Sequence, residues 1–263
     1  MFVLRRRLVA AIALLFAAAC RPEFQIRKFS TTQSLYDAAL RELERRHWGN
    51  AVAGFEKLAA DLAPRDSLLP RVHWYLGKAH QGQREWLLAA QAFTRLADDF
   101  PEDSLADDAL IEAARAYRRL WRKPQLDPQY GETALATYRQ FVGLFPNSPL
   151  VESANREIAE LEEWFARKSY DVGRFYQRRK APDSAILYYR TVRDQYPNSA
   201  VARDAGLRLV EVYRAIRYRD DAEQVCAELR QKHANDAEVR QLCGTAPNPP
   251  PTQPVESQTR PTP

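Results

Sequence analysis

Three segments spaced through the middle of the chain read alike: Asp98–Ala109 (DDFPEDSLADDA), Gly143–Ala154 (GLFPNSPLVESA) and Asp194–Ala205 (DQYPNSAVARDA). Each sets an aromatic–Pro pair before a Ser-containing turn and an Ala-rich stretch. Proline lacks the N–H that a helix interior needs, and its ring blocks the preceding turn. Each segment therefore ends one helix and opens another, with Ser104, Ser148 and Ser199 expected as N-caps. Upstream of each Pro stands an Ala four residues before an aromatic: Ala89/Phe93, Ala134/Tyr138 and Ala185/Tyr189. The pattern starts at Ala51/Phe55 and fades at Ala222/Cys226, so the steps between successive Ala positions are 38, 45, 51 and 37 residues.

Those steps suit helix-pair repeats, nominally 34 residues long in tetratricopeptide proteins and lengthened here by insertions. The first helices carry matching large–small–aromatic sets: Leu76-Gly77 with His80, Ala113-Ala114 with Tyr117, and Val172-Gly173 with Tyr176. In that pattern Gly77, Gly173, Ala89 and Ala185 let two antiparallel helices approach, while the aromatics fill the gap toward the next pair. The expected fold is all-α: a right-handed α-solenoid of about five tetratricopeptide-like repeats over residues 32–243, ending in a short capping helix over Asp236–Leu242. Only 9 Gly occur in 263 residues, which disfavours turn-dense β folds and Gly-rich phosphate loops. Two departures from the repeat are informative. Tyr117 and Ala134 lie 17 residues apart where the motif expects nine, so a loop should form around Lys123–Gln129. From Val151 to Tyr170 there is neither Gly nor Pro, so that stretch should run into the fourth repeat as one long helix, joining repeats one to three to repeats four and five.

The ends of the chain read differently. Arg5, Arg6 and Arg7 precede an apolar run from Leu8 to Ala19 that stops at Cys20. Twelve residues are too few to span a bilayer as a helix but fit the apolar core of an export signal. Ala17-Ala18-Ala19 before Cys20 resembles a bacterial lipobox, which makes residues 1–19 a signal, Cys20 the acylated first residue, and 20–31 a linker. Several acyl chains, at roughly 0.8 kcal/mol per buried CH₂, would hold the outer membrane firmly. Removing the signal takes away three Arg and no acid. The balance of 39 basic against 34 acidic residues then falls to 36 against 34, so the basic pI carries little meaning and no nucleic-acid partner is expected. Seven of the 17 Pro lie beyond residue 243, and the tail 244–263 is expected to stay unpacked.

Catalytic and metal signatures are missing. There is no H-E-x-x-H, G-x-S-x-G, Walker loop or G-x-G-x-x-G. His73 and His80, seven residues apart, are separated by about 10.5 Å along a helix and read as packing residues. The doublets Asp98-Asp99, Asp107-Asp108, Glu162-Glu163 and Asp220-Asp221 read as surface or helix-end charges. No room is left for a lysozyme-like domain, so the chain is read as a scaffold with no catalytic residue, cofactor or metal. Cys226 and Cys243 form either one disulfide that staples the cap or two buried thiols.

Lipobox, five helix pairs, the loop before the third repeat's second helix and the long fourth-repeat helix together resemble the BamD (ComL) family of barrel-assembly lipoproteins. The closest stretches run from Asp127-Pro128-Gln129 through Leu144–Ser148 and Lys168–Arg179 to Gln195–Ser199. The resemblance implies a two-ended scaffold at the periplasmic face of the outer membrane. Its N-terminal repeats would receive unfolded outer-membrane proteins, and its C-terminal repeats would hold the POTRA domains of a BamA-type insertase beside other assembly lipoproteins. Mapped on the repeat motif, the substrate groove would use Tyr36, Leu40, Arg71, Trp74, Lys78, Arg115 and Arg118. Aromatic faces flanked by cations suit a peptide ending in an aromatic residue and a free carboxylate. Docking of the partner would use Arg167, Arg174, Arg178 and Arg214 with the loop from Asp127 to Tyr130. A second resemblance, to the Tol-associated periplasmic repeat protein of cell division, rests on HWYLGKAH at His73; that family usually has an N-terminal coiled coil and no lipobox.

Overall fold

The computed structural model describes residues 24–244. The signal 1–19, Cys20, the linker up to residue 23 and the tail from 245 lie outside the described residues. Within them the chain forms a 3-10 turn, Ile26–Lys28, and eleven α-helices. These pair as α1 (Thr32–Glu44) with α2 (Trp48–Asp61), α3 (Leu69–Gln83) with α4 (Trp86–Asp99), and α5 (Ala106–Leu120) with α6 (Gln129–Leu144). The long α7 (Val151–Arg178) pairs with α8 (Pro182–Gln195), α9 (Ala202–Ala215) with α10 (Arg219–Lys232), and α11 (Ala237–Cys243) follows. The result is an all-α helical-repeat solenoid. Its described residues divide into two compact units, 24–122 with 129–155 and 123–128 with 156–244. The units are described separately.

The two units share a frame. Helices α4 and α8 start at residues 86 and 182 and end at 99 and 195, a shift of 96 at both ends (182 − 86 and 195 − 99). Under that shift Gly77 falls on Gly173, Phe93 on Tyr189, Lys78 on Arg174 and Gln81 on Gln177. The contact that closes each pair is the same. A Cβ added to Gly77 would stand 2.5 Å from the Phe93 ring, and one added to Gly173 would stand 2.7 Å from the Tyr189 ring. Each ring therefore seats on the glycine of its own pair. It also joins the next first helix: Phe93 clusters with Ala109 and Ala113 of α5, Tyr189 with Ala205 and Leu209 of α9. Fully burying a ring of this size is worth about 1.5–3 kcal/mol, which explains an aromatic at this position in every strong repeat.

The turn within four of the five pairs is made by an unexpected residue type. Arg46, Arg84, Lys180 and Arg217 all adopt positive φ, between 57° and 67°. Each ends a first helix in a Schellman turn, where the next residue's N–H reaches five residues back: His47 to Glu42 O, Glu85 to His80 O, Ala181 to Tyr176 O and Tyr218 to Tyr213 O, at 2.8, 2.9, 3.1 and 2.8 Å. Glycine usually takes that place because it carries no Cβ; here a basic residue sits there, near the negative end of the helix dipole. The third pair has no such turn. Residues 121–128 form the loop expected there, anchored by buried Trp121, whose ring lies where a Cβ on Gly131 would meet it at 2.1 Å.

Two expectations about helix ends need correction. Ser104 does not cap α5, and Ser199 does not cap α9: the N-caps are Leu105 and Val201, without side-chain hydrogen bonds. The Leu105 amide donates instead to Asp103 Oδ1 at 2.9 Å. Ser148 accepts from the Leu150 amide at 3.3 Å and donates to Asp107 at 2.8 Å, tying the loop before α7 to α5. Helix α7 runs unbroken for 28 residues, as the absence of Gly and Pro in its first twenty requires.

Candidate functional site

In the first unit, α1 and α3 leave a cleft of about 610 Å³ between their facing sides. Leu40, Leu43, Glu44, Trp48, Tyr75 and Lys78 line it. Its shape depends on Gly82, where an added Cβ would meet the Trp48 indole at 2.3 Å. Two of the expected groove residues, Leu40 and Lys78, are thus brought together. Tyr36 is not part of the lining. It is 8% exposed, packed edge-on against Phe55 and Tyr75 at 6.1 and 6.3 Å between ring centres. Its neighbour across the core is Phe55, so the ring turns inward under the cleft. Arg71 is exposed, and Arg118 half-buried, on α3 and α5. Trp74 lies against the Phe93 ring at 5.3 Å, with Lys78 Nζ 5.0 Å from its centre.

Two cations of this face, Lys78 and Arg115, are already engaged. Glu112 on α5 accepts from Lys78 Nζ at 3.1 Å, Gln81 Nε2 at 2.7 Å and Arg115 Nη1 at 3.0 Å. Arg115 also donates to Ser153 Oγ at 3.2 Å. Burial pushes the Glu112 carboxyl upward, but the Gln81 hydrogen bond and the Lys78 and Arg115 contacts outweigh it, so its pKa lies below the ordinary Glu value. Beside it Asp108 is raised, by burial first and then by the charges of Asp107 and Glu112. Lys78 and Arg115, expected to meet a substrate's free carboxylate, both hold a carboxylate of the chain itself here. Glu112, Gln81, Tyr75 and Trp48 were not among the residues expected from sequence. Only Glu112 left a trace, standing one helical turn before Arg115.

In the second unit, Arg167, Arg174 and Arg178 lie exposed along α7. Arg174 rests over the Tyr170 ring at 5.9 Å. Its equivalent of Glu112 is Arg208, and the acid sits one turn later at Glu211, held by Arg208 at 2.9 Å and by Gln177 at 3.3 Å. Gln177 also accepts from the Tyr189 hydroxyl at 2.7 Å, and burial with the adjacent Tyr170 pushes that hydroxyl up to about 12. Arg214 donates to the Leu242 carbonyl at 2.7 Å. Together with Arg230, which donates to the Cys243 carbonyl at 2.7 Å, it closes the C-terminal end of α11. Asp127 is exposed in the loop of the second unit, whereas Tyr130 is 37% exposed in the first turn of α6 in the first unit.

Of the two states left open for Cys226 and Cys243, the disulfide is the one present, with Cα atoms 5.3 Å apart. Arg203 clamps the start of the same cap, bonding Asp236 at 2.8 Å and Glu238 at 2.7 Å, while Asp236 accepts from the Glu238 and Val239 amides. The Arg203 hydrogen bond, then the Val239 amide, holds the Asp236 carboxyl far below the usual carboxylate range. His73 and His80 are buried, and His80 Nδ1 lies 2.8 Å from Glu85. No group of three or more His, Cys, Asp or Glu arranged to hold a metal occurs among the described residues. No described helix is long and apolar enough to cross a membrane.

Comparison with known proteins brings in an independent line. A family model described as YfiO, outer membrane lipoprotein, matches residues 30–229. The chain is 25% identical over 202 residues to the outer membrane protein assembly factor BamD of Caulobacter vibrioides, covering 77% of this chain and 66% of that protein. With the Vibrio cholerae protein of the same name it is 26% identical over 151 residues, 57% of this chain and 56% of the relative. The chain thus spans about two-thirds or less of the length of these curated relatives. Among solved structures, a tetratricopeptide-repeats protein of Bacteroides fragilis aligns with a TM-score of 0.48 at 14% identity, over 82% of this chain and 97% of that one.

Proposed function

The chain belongs to the YfiO family of outer membrane lipoproteins, and from that premise we propose that it is a non-catalytic assembly factor for outer-membrane β-barrel proteins. Acylated at Cys20, it is held at the periplasmic face of the outer membrane. The α1–α3 cleft of the first unit receives an unfolded barrel protein. The Arg167, Arg174 and Arg178 strip of the second unit, with the Asp127 loop, docks an acidic POTRA domain of a BamA-type insertase. Other assembly lipoproteins complete the set of partners.

The observation that carries this reading is the family match across residues 30–229, which spans both the cleft and the strip. The cleft adds a chemical constraint. With Lys78 and Arg115 holding Glu112, what a ligand meets in the cleft is mainly apolar, Leu40, Leu43, Tyr75 and Trp48, beside Gln81 and the exposed carboxylate of Glu44. It suits apolar and aromatic side chains of an extended segment, and a terminal carboxylate adds little. The strip differs because its cations face outward without an acidic partner of their own. Charges at the rim of an interface speed association more than they add affinity.

The test is co-purification from detergent extracts of outer membranes. The insertase should come down with the chain, and Tol proteins should not. Reversing Arg174 and Arg178 to Glu should weaken the capture most at low salt. Intact capture at both low and high salt would move the docking face elsewhere.

A further inference from the structure

The segment from Phe24 to Phe29, just before the first helix, is fastened to the core. Phe24, Ile26 and Phe29 pack against the core formed by α1, α2 and α3. The Phe24 and Phe29 rings are tilted against each other with centres 5.6 Å apart, and the Phe24 ring lies 3.5 Å from where a Cβ on Gly54 of α2 would stand. The alternation then turns outward: Arg27 and Lys28, in the 3-10 turn, are both exposed. Three apolar side chains fasten this strap to the first repeat, and two cations face away from it.

Only three residues separate Cys20 from Phe24, so four extended Cα–Cα steps allow at most about 14 Å between their backbones. We propose that the strap is a membrane-contact surface: it holds the first repeat against the bilayer, with Arg27 and Lys28 on the anionic phospholipid headgroups. This rests on the proposed acylation of Cys20. A tether of that length keeps the cations within about one or two Debye lengths of the headgroups at physiological salt, where their attraction still acts. A tether running straight into solvent would need none of the three apolar contacts. The first repeat is then fixed relative to the membrane, and the mouth of the α1–α3 cleft with it.

The experiment uses the full acylated chain in vesicles of phosphatidylethanolamine with phosphatidylglycerol, a fluorophore at position 30, and headgroup-labelled quencher lipid. Palmitate labelling is followed in parallel. Strong quenching is expected in the parent chain. Inserting about 20 Gly/Ser residues after Cys20, with a mean reach of roughly 25 Å, should largely abolish it. Arg27→Glu with Lys28→Glu should cut the lipid-proximal population roughly fivefold per charge at low salt. Arg27 and Lys28 are both exposed, so the two substitutions spare the core. If Cys20 takes up label but position 30 is quenched no more than in the long-tether chain, the membrane contact is wrong while the anchor stands. If Cys20 takes up no label, the anchor itself fails and the contact falls with it.

Discussion

The α3–α5 region of the first unit and the α7–α9 region of the second use one frame for different electrostatic ends. Ninety-six residues apart, the same glycine receives the same aromatic, Gly77 under Phe93 and Gly173 under Tyr189. Above that contact the i, i+3 ion pair is written in opposite order. Glu112 precedes Arg115 in the first unit, and Arg208 precedes Glu211 in the second. The reversal decides what happens to the neighbouring first-helix cation. Lys78 reaches Glu112 and is neutralised, whereas Arg174 lies over the Tyr170 ring and keeps its charge outward. One charge swap in a repeated scaffold thus leaves an apolar cleft in one unit and a cationic strip in the other.

The shared frame should break in parallel. Phe93→Ala and Tyr189→Ala each remove a fully buried ring, and each should destabilise its own unit by about 3–5 kcal/mol. Amide hydrogen exchange resolves the units, so protection should fall around α3–α5 in one variant and α7–α9 in the other. Equal loss across the whole chain in both would mean that the units do not fold as described.

Reduction of the Cys226–Cys243 bond is next in size and touches only the second unit. Opening a closure of 17 residues should cost about 3 kcal/mol. Arg203, Arg214 and Arg230 should still hold α11 in place, so the melting midpoint should fall without loss of helical circular dichroism. The first unit's exchange should not change.

Glu112→Gln tests the electrostatic half of the comparison. It leaves Lys78 and Arg115 with a neutral acceptor, and should cost on the order of 1–2 kcal/mol. Because the Glu112 pKa is lower in the folded protein than its ordinary value, its contribution is present above the ordinary Glu range. It is lost as the pH falls through the folded value. Denaturant melts of the parent at descending pH should therefore show a decline in the acid range that is shallower in Glu112→Gln. Identical slopes would mean that the network does not couple to stability.

The smallest effect concerns the turns. Arg84→Gly and Lys180→Gly relieve a Cβ at positive φ, and each should stabilise its unit by about 0.5–1 kcal/mol in thermal melts. A loss instead would show that the basic side chain at the helix end outweighs the backbone strain.

The helix pairs were legible because their signals are local: a proline after an aromatic, a small residue four before one, and twenty residues without a breaker in α7. The loop around 123–128 followed from spacing alone. What escaped the sequence depends on partners far along the chain. Lys78 and Glu112 are 34 residues apart, and nothing near either one announces the bond. Tyr36 sits at a groove position of the motif, yet Phe55 and Tyr75 draw its ring into the core. Arg214 looked like surface charge until α11 returned a carbonyl to it. The Schellman turns escaped for a different reason: a basic residue stands where glycine is the usual marker.

We propose that the first unit's cleft binds a barrel segment by its side chains, since Lys78 and Arg115 already hold the Glu112 carboxylate. Its most direct test places a photocrosslinker at Leu43 and offers a synthetic C-terminal barrel peptide as free acid or as amide. In the parent both forms should crosslink equally well, and in Glu112→Gln, with Lys78 and Arg115 released, the free acid should gain over the amide. A strong preference for the free acid in the parent would contradict the account, and no crosslink from either form would remove the cleft as the binding site.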